Sequence, residues 1–443
     1  MRRLLYRSLR FFSAFDRALR ERLSTAGWLA VGAAGTAAVA GLDTNQTVTY
    51  RAFAFLAALL ALSFTASLWR RPRFEARRIL PRYATAGETC TYRVEIVNAG
   101  SRPLRDAELR EQFQDARPSY EEWRRTPEPG EHRRNWWDRN TGYFRWRWLI
   151  ERRLPADRRT GELDWLAPGE SRALDLSFRP RRRGRLEFAG FTLGQPDPLG
   201  LVMGLGRLRL EARLVALPRR YRLPTLPMPG RRKYQPGGVS LAASQGDAEE
   251  FLALRDYRPG DPLHRLHWKS FARIGKPVTK EFQDEYFERH ALVLDTASLR
   301  GEDEAFEDAV AIAASFVHTL DAQDCLLDLM FVGGELHTYT AGAGQMRPEH
   351  LLEVLAGVGP SPGGEFAGLA QAVLARRAAL SSVILVLLAW DPEREYLVST
   401  LRAAGAEVRV LLVCPRQQTP EGLPQGVTVL HPGAIEEGLA GLR

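Results

Sequence analysis

The sequence predicts an α/β plus all-β chain in three parts: an N-terminal transmembrane helical hairpin, an antiparallel β-sandwich and a C-terminal doubly wound parallel sheet. Three observations carry this expectation. Two stretches without charge stand near the start, TAGWLAVGAAGTAAVAGL (25–42) and AFAFLAALLALSFTASLW (52–69). From about 79 to 217, apolar and polar residues alternate in short runs broken by Pro and Gly, the strand period. From 290 onward, wholly apolar runs alternate with segments of helical spacing, as in a parallel sheet covered on both faces.

The first part is residues 1–78, a basic arm and two helices. Each charge-free stretch has about the length needed to cross a hydrocarbon core of roughly 30 Å. Arg2, Arg3, Arg7, Arg10, Arg17, Arg20 and Arg22 precede them, and Arg70, Arg71, Arg73, Arg77 and Arg78 follow, whereas the connecting DTNQTVTYR holds only Arg51. The positive-inside rule then puts both flanks and both termini in the cytoplasm, with the anchor in the inner (plasma) membrane. A cleaved signal peptide fits poorly, because the apolar run starts late and a second one follows.

The second part, 79–217, contains CTYRVEIVNAG (90–100), ALDLSF (173–178), GRLEFAGFTLG (184–194) and LRLEARLVALP (208–218) as strands. Within it, 115–165 is unusually rich in Trp and Arg, with Trp123, Trp136, Trp137, Trp146, Trp148 and Trp165. In GYFRWRWLIE (142–151), Phe144, Trp146, Trp148 and Ile150 alternate with Arg145, Arg147 and Leu149, so the segment reads as an inserted hairpin. Two other readings stay open. One is a membrane-proximal surface, since Trp concentrates at interfaces; the other is nucleic-acid binding by ring stacking and Arg–phosphate pairing, the least favoured of the three.

The last part, 290–443, starts with the strand ALVLDTAS (291–298) and a helix over 306–320, then the strand LLDLMFV (326–332). Helices over 346–356 and 366–378 precede the strand SSVILVLLAWD (381–391). A helix over 394–404 leads into EVRVLLVCP (407–415), and VTVLH (427–431) with a short helix closes the chain.

Composition narrows the function less than the pattern does. The 443 residues are 45% hydrophobic and 26% charged, ordinary for globular protein. A net charge of +9 points to an acidic partner or surface. All but four of the 62 basic residues are arginine, however, so the charge is a chain-wide habit and marks no one site. Cys90, Cys325 and Cys414 lie too far apart for a disulfide framework or zinc cluster, and suit a reducing compartment.

Sites for chemistry are sparse. Asp295 and Asp391 follow apolar strands, where ligands bind in doubly wound sheets. This placement resembles the von Willebrand factor A domain, whose metal loop reads Asp-x-Ser-x-Ser. Here the loop is Asp295-Thr296-Ala297-Ser298-Leu299, with no oxygen at either serine position, and GPSPGGEF (359–366) offers no threonine. Asp295, Ser298 and Asp391 are the residues that would hold magnesium, and the loop argues against it; no cofactor is expected. Gly275-Lys276 lacks the rest of a phosphate loop, since Pro277 stands where a hydroxyl is needed. His264 and His267 have no partner at zinc spacing, and no Gly-x-Ser-x-Gly elbow occurs. The expectation is a protein that is not an enzyme.

Lysine gives the sharpest signal. Three of the four, Lys269, Lys276 and Lys280, fall in one window, and Lys233 stands apart. That window belongs to GDAEEFLALRDYRPGDPLHRLHWKSFARIGKPVTKEFQDE (246–285). It resembles the signature of the domain-of-unknown-function family fifty-eight at Glu250, Phe251, Arg255, Tyr257, Pro259, Gly260, Asp261, Trp268, Lys269, Ala272, Arg273, Lys280 and Glu281. Leu266 replaces the usual isoleucine, and the Trp/Arg insertion departs from the family pattern. DPLG (197–200) at the end of the β domain also agrees.

The resemblance implies a membrane-anchored protein with a von Willebrand factor A-like domain, working beside MoxR-type AAA+ ATPases and transglutaminase-like membrane proteins. It would act as an adaptor in assembly or maturation of a target. Arg255, Tyr257, Gly260, Asp261, Trp268, Lys269, Arg273 and Lys280 would form the signature motif, within a linker-and-signature segment of 218–289; it reads first as an internal clasp joining the β domain to the A domain, second as a partner-docking surface and last as a small-anion or catalytic pocket. Read physically, Pro259-Gly260 turns the chain and projects Asp261 toward Arg273 or Lys269. A helix over 263–272 then aims Trp268 and Phe271 at the core, leaving His267, Lys269 and Arg273 outward. Asp284 and Glu285 continue the following strand.

Overall fold

The computed structural model describes residues 2–40, 47–224, 250–261, 263, 266–283, 288–298, 304–320, 325–341, 347–361 and 366–442. Two compact units divide the chain, Met1–Arg219 and Arg220–Arg443. The loop at 41–46, Lys233, His264, Asp284, Glu285 and Leu299 lie outside the described residues.

The first unit begins with three helices: α1 (Arg2–Arg22), α2 (Thr25–Ala40) and α3 (Thr47–Trp69). By length and composition, one described helix is suited to crossing a membrane, Val48–Trp69; Thr25–Ala40 is apolar but shorter. Of the expected pair of spans, one described helix has sufficient length; the described helix of the other stretch covers Thr25–Ala40. The basic arm is no loose tail but a continuous helix, α1.

Nine strands follow: β1 (Phe74–Ile79), β2 (Tyr83–Thr85), β3 (Cys90–Asn98), β4 (Leu104–Phe113), β5 (Ala156–Arg158), β6 (Gly161–Leu166), β7 (Ser171–Pro180), β8 (Gly184–Pro196) and β9 (Met203–Leu217). They form one sheet of order β1-β3-β7-β5 and another of order β2-β9-β8-β4-β6. All pairings are antiparallel except β2 with β9. Alternate residues of both sheets meet in one apolar core, among them Val94, Ile96, Leu109, Leu163, Phe178, Phe191 and Leu193, as period-2 patterning dictates.

One charged group is sunk into that core. Glu111 on β4 binds Arg78 at 2.5 Å, both nearly without solvent exposure, and accepts a hydrogen bond from the Tyr92 hydroxyl. Burial pushes the Glu111 carboxyl up, against the pull of Arg78, and pushes the Tyr92 phenol up as well. The Arg78 guanidinium also lies over the rings of Phe188 and Phe191, at 4.8 and 4.5 Å. Arg78 was counted with the arginine flank of the anchor; it is an internal ion-pair partner instead.

The Trp/Arg insertion corrects the sequence reading. Most of it folds as helices α4 (Tyr120–Arg125), α5 (Trp136–Thr141) and α6 (Tyr143–Arg153), not as a strand hairpin, and its last residues, with Trp165, enter β5 and β6 of the two sheets. Ser119 caps α4, accepting the Glu122 N–H at 3.3 Å, and Asn135 caps α5, accepting the Asp138 N–H at 2.8 Å, as short polar residues do at helix starts. Gly142, at φ 62°, ends α5 and opens α6. A Cβ there would sit 2.6 Å from the Trp123 ring, and the Trp123 indole N–H donates to the Gly142 carbonyl at 3.1 Å. Trp146 and Leu149, three apart on α6, are buried with Trp123 and Tyr6 of α1. Over so short a run the Arg/aromatic alternation fits both periods, and the caps decide.

In the second unit, β10 (Glu250–Asp256), α7 (Trp268–Ile274) and β11 (Val278–Gln283) come first. Then follow β12 (Glu288–Leu294), α8 (Glu304–Leu320), β13 (Cys325–Val332), β14 (Leu336–Ala341), α9 (Pro348–Gly357), α10 (Phe366–Arg376) and β15 (Ser382–Leu387). The chain closes with α11 (Pro392–Ala403), β16 (Glu407–Val413), β17 (Val427–Leu430) and α12 (Ile435–Ala440). The main sheet has order β14-β13-β12-β15-β16-β17; every pair is parallel except β13 with β14. Residues 290–294 and 382–387 are buried at every position, which explains why these strands read as unbroken apolar runs. On one face Ala291, Val293, Val383, Leu385 and Val410 pack with Phe366, Leu397 and Leu401 of α10 and α11. The antiparallel edge β14 was absent from the sequence reading. Buried Asp328 pins it, accepting from Thr340 at 2.6 Å and from Arg289 at 2.8 Å.

Candidate docking site

The signature sequence folds as a two-stranded antiparallel hairpin, β10 with β11, whose connection carries α7. Pro259-Gly260 makes the first turn, with Gly260 at φ 109°, a conformation that favours glycine. Asp261 closes it: its carboxylate accepts the Arg258 N–H at 2.8 Å, and its own N–H donates to the Arg258 carbonyl at 3.0 Å. The two Asp261 oxygens also accept from the Arg255 guanidinium at 2.7 and 2.8 Å. This is a forked pair, the geometry that suits arginine and that lysine cannot copy. The Arg255 hydrogen bonds and the Arg258 N–H together hold the Asp261 carboxyl down at about 2.

This corrects the expected pairing of Asp261 with Arg273 or Lys269. Both of those lie on α7 and are exposed. Helix α7 is also shorter and later than expected, starting at Trp268. Gly275, at φ 73°, ends it by donating its N–H to the Phe271 carbonyl at 2.9 Å. Gly275-Lys276-Pro277 is therefore a left-handed helix stop followed by proline, which accounts for the fragment of phosphate-loop pattern. The hairpin is then tied shut by Tyr257 N–H to Pro277 O (3.0 Å) and His267 N–H to Val278 O (2.8 Å).

Trp268 was expected to face the core. It is 63% exposed, meeting Phe271 edge-on at 6.1 Å. Ile274, 62% exposed, Leu263 and Leu254 are exposed as well; none of these three was singled out from the sequence. Exposed Lys269, Arg273 and Lys276 share the same segment. Tyr257 and Lys280 are half-buried, Lys280 standing opposite Leu254 across the two strands. The motif thus separates into two sets. Arg255, Gly260 and Asp261 fix the turn, while Trp268, Lys269 and Arg273 present apolar and positive groups to solvent.

The second candidate lies at the carboxyl ends of β12 and β15. Asp295 is fully buried and accepts the Ala297 N–H (3.0 Å), the Leu388 N–H (3.1 Å) and the Arg394 Nε–H (2.8 Å). Asp391 caps α11, accepting the Arg394 N–H at 3.0 Å, and also binds the Arg394 guanidinium. That guanidinium is itself buried and lies 4.2 Å from the Phe366 ring centre. Burial pushes the Asp295 carboxyl up, opposed by Arg394. The carboxylates proposed for magnesium are bridged by an arginine fork, and their lone pairs are taken by N–H donors. Ser298 donates its backbone N–H to Thr296 O, and the Thr296 hydroxyl donates to Val332 O at 2.6 Å. Among the described residues, no cluster of three His, Cys, Asp or Glu side chains suits a metal. This donor set does not fit magnesium. Sequence reasoning missed Arg394 because one arginine among so many carries no signal.

A cleft of about 390 Å³ lies elsewhere, in the first unit, lined by Arg17, Glu21, Arg117, Thr192 and Arg207 among others. It contains no residue of either candidate site.

Comparison with known proteins is consistent with the signature. Uncharacterized protein YeaD of Bacillus subtilis (strain 168) is 27% identical over 193 residues, 43% of this chain and 47% of that protein. The match thus spans about half of the relative's length. Among solved structures, the ASH / PapD-like domain of human CEP192 is 14% identical with a TM-score of 0.19, covering 33% of this chain and 87% of that one. The CARDB domain of the PF1109 protein from Pyrococcus furiosus is 11% identical with a TM-score of 0.17, covering 33% and 88%. Likenesses that weak say nothing of activity. The signature hairpin from Ala253 and all six strands of the main sheet fall within the match to a family model: residues 253–435 match the family described as protein of unknown function DUF58.

Proposed function

We propose that this chain is a membrane-anchored cytosolic adaptor, not an enzyme, and that its signature hairpin docks a MoxR-type AAA+ ATPase acting on assembly or maturation of a target. One observation carries the reading: the hairpin, with one turn closed by the Arg255–Asp261 fork, carries the short helix α7, which leaves Trp268 and Ile274 exposed in the same segment as Lys269, Arg273 and Lys276. Exposed Trp in a positive surround is what a partner's apolar pocket and acidic rim select. A seven-residue helix between two glycine-marked turns has no other evident use for an exposed indole.

The rest supports that role. The helices α2 and α3 serve as the anchor, with both arginine-rich flanks cytoplasmic. The main sheet, with its strand order and single antiparallel edge, is read as a doubly wound, von Willebrand factor A-like domain. The Arg394 guanidinium lies between Asp295 and Asp391, where such a domain would hold a cation. A transglutaminase-like membrane protein is a second expected companion, and nucleic acid is not an expected ligand.

The test is co-purification from detergent-solubilised native membranes. Trp268→Ala with Ile274→Ser should lose the ATPase while leaving unfolding unchanged, since both side chains are exposed. Retention of the ATPase by this variant at parental yield would refute docking through the hairpin.

A further inference from the structure

The basic arm has a face that the docking reading does not use. Helix α1 runs from Arg2 to Arg22, and at 100° per residue its sides are chemically distinct. On one side, Tyr6 is buried. Its hydroxyl donates to the Pro118 carbonyl at 3.0 Å, and its ring meets Tyr120, Trp123 and Trp146 at 5.4–5.9 Å. Leu5 and Leu9 pack on the same cluster, and Glu21, also buried, binds Arg207 at 3.1 Å. This side is fastened to the β domain and its insertion.

The opposite side is apolar and bare. Leu4, Phe11 and Phe15 share one stripe, with Phe12 beside it; Phe11, Phe12 and Phe15 are 67%, 66% and 57% exposed. Their rings touch, Phe11 with Phe12 at 5.9 Å and with Phe15 at 6.4 Å, so this is one patch. Contiguous apolar patches of roughly 300–600 Å² on monomers are often functional. The helix carries seven arginines against Asp16 and Glu21. Arg2, Arg7 and Arg20 are exposed.

The junction with the apolar helices is fixed. Leu23 bridges to Val202, and the Ser24 hydroxyl donates to Gly200 O and accepts the Gly27 N–H at 3.0 Å, capping α2. The turn that receives them is itself held by Asp197, whose carboxylate accepts the N–H groups of Leu199, Leu201 and Val202. Gly27 cannot be enlarged, since a Cβ would come within 2.1 Å of Leu201 O. Thus α1 ends at a built corner, Leu23 and Ser24, that leads directly into the segment proposed to enter the bilayer.

We propose that α1 lies in the headgroup layer of an anionic phospholipid membrane, with Leu4, Phe11, Phe12 and Phe15 in the acyl boundary and its arginines on lipid phosphates. Lipid, and no protein partner or second copy, is the occupant because the patch is continuous in sequence with the anchor and lies on an arginine-rich helix with exposed Arg7 at its border, as interfacial helices do. The inference rests on the anchored reading above.

The experiment uses the full-length chain with p-benzoylphenylalanine replacing Phe15, or Ser13 on the protein-facing side, in vesicles of phosphatidylcholine with or without phosphatidylglycerol. Flotation of the vesicles first reports whether the chain is anchored. After irradiation, the Phe15 position should carry about tenfold more lipid adduct than the Ser13 position, and more with phosphatidylglycerol than without. Floating protein whose Phe15 position cross-links only to a second copy, or gives no adduct, overturns the interfacial helix and leaves the anchor standing. Protein that fails to float overturns the anchor, and the interfacial helix with it.

Discussion

Two ion pairs, Arg394 with Asp295 and Arg255 with Asp261, can be tested residue by residue. Arg394 neutralises Asp295 in a buried site, so Arg394→Ala leaves a carboxylate without its counter-charge, at a cost of about 3–5 kcal/mol. Burial already raises the Asp295 carboxyl, and the variant would raise it further. A raised acid stabilises the fold below its unfolded value and loses that contribution as pH rises. The variant's unfolding should therefore worsen from about pH 4 upward, as denaturant titration in detergent would measure; parental-like stability at neutral pH would contradict the account. The parent and Asp295→Ala should give the same flat magnesium titration by calorimetry, and saturable binding by the parent that Asp295→Ala abolishes would contradict the account. Asp261 has the opposite sign. Its carboxyl is held down at about 2, so the turn it closes is intact above about pH 4 and is lost only as pH falls through 2. Carbon-13 titration of labelled aspartate would show one unusually acidic resonance, absent in Arg255→Lys if the fork is what lowers it. Neither Arg78 nor Arg394 was legible as special in a sequence where nearly every basic residue is arginine; only burial distinguishes them.

At the scale of elements, the strands of the main sheet were legible because both faces are buried, which leaves the period no ambiguity. The edge strand β14 was not, since HTYT alternates on a half-exposed edge and resembles loop. Helix α6 was misread for a related reason: alternating Trp and Arg over eight residues satisfies a strand, and also places Trp146 and Leu149 on one helical face. Its capping glycine is the residue that resolves the two. Trp146→Ala should cost about 3–5 kcal/mol by opening a cavity against Tyr6 and Trp123. If the insertion were a stacking platform for nucleic acid, that change would instead spare stability and abolish a steeply salt-dependent affinity. Trp136 and Trp137, exposed and stacked at 5.3 Å, have no structural partner that explains them.

On the scale of the whole molecule, the sequence located the signature but not its orientation. Residue types marked Trp268 as core; the chain instead buries Leu266 and Val278 and leaves the indole outside. A short helix held by turns at both ends has too little area to cover its own aromatic residue, and that imbalance is what makes docking the central claim. Placing p-benzoylphenylalanine at Trp268 in the native host and irradiating intact cells, with mass spectrometry of the adducts, tests it most directly. The account predicts a cross-link to a MoxR-type AAA+ ATPase that disappears in Asp261→Ala. Cross-links confined to peptides of this chain itself would mean that the indole has an internal partner, and would contradict it.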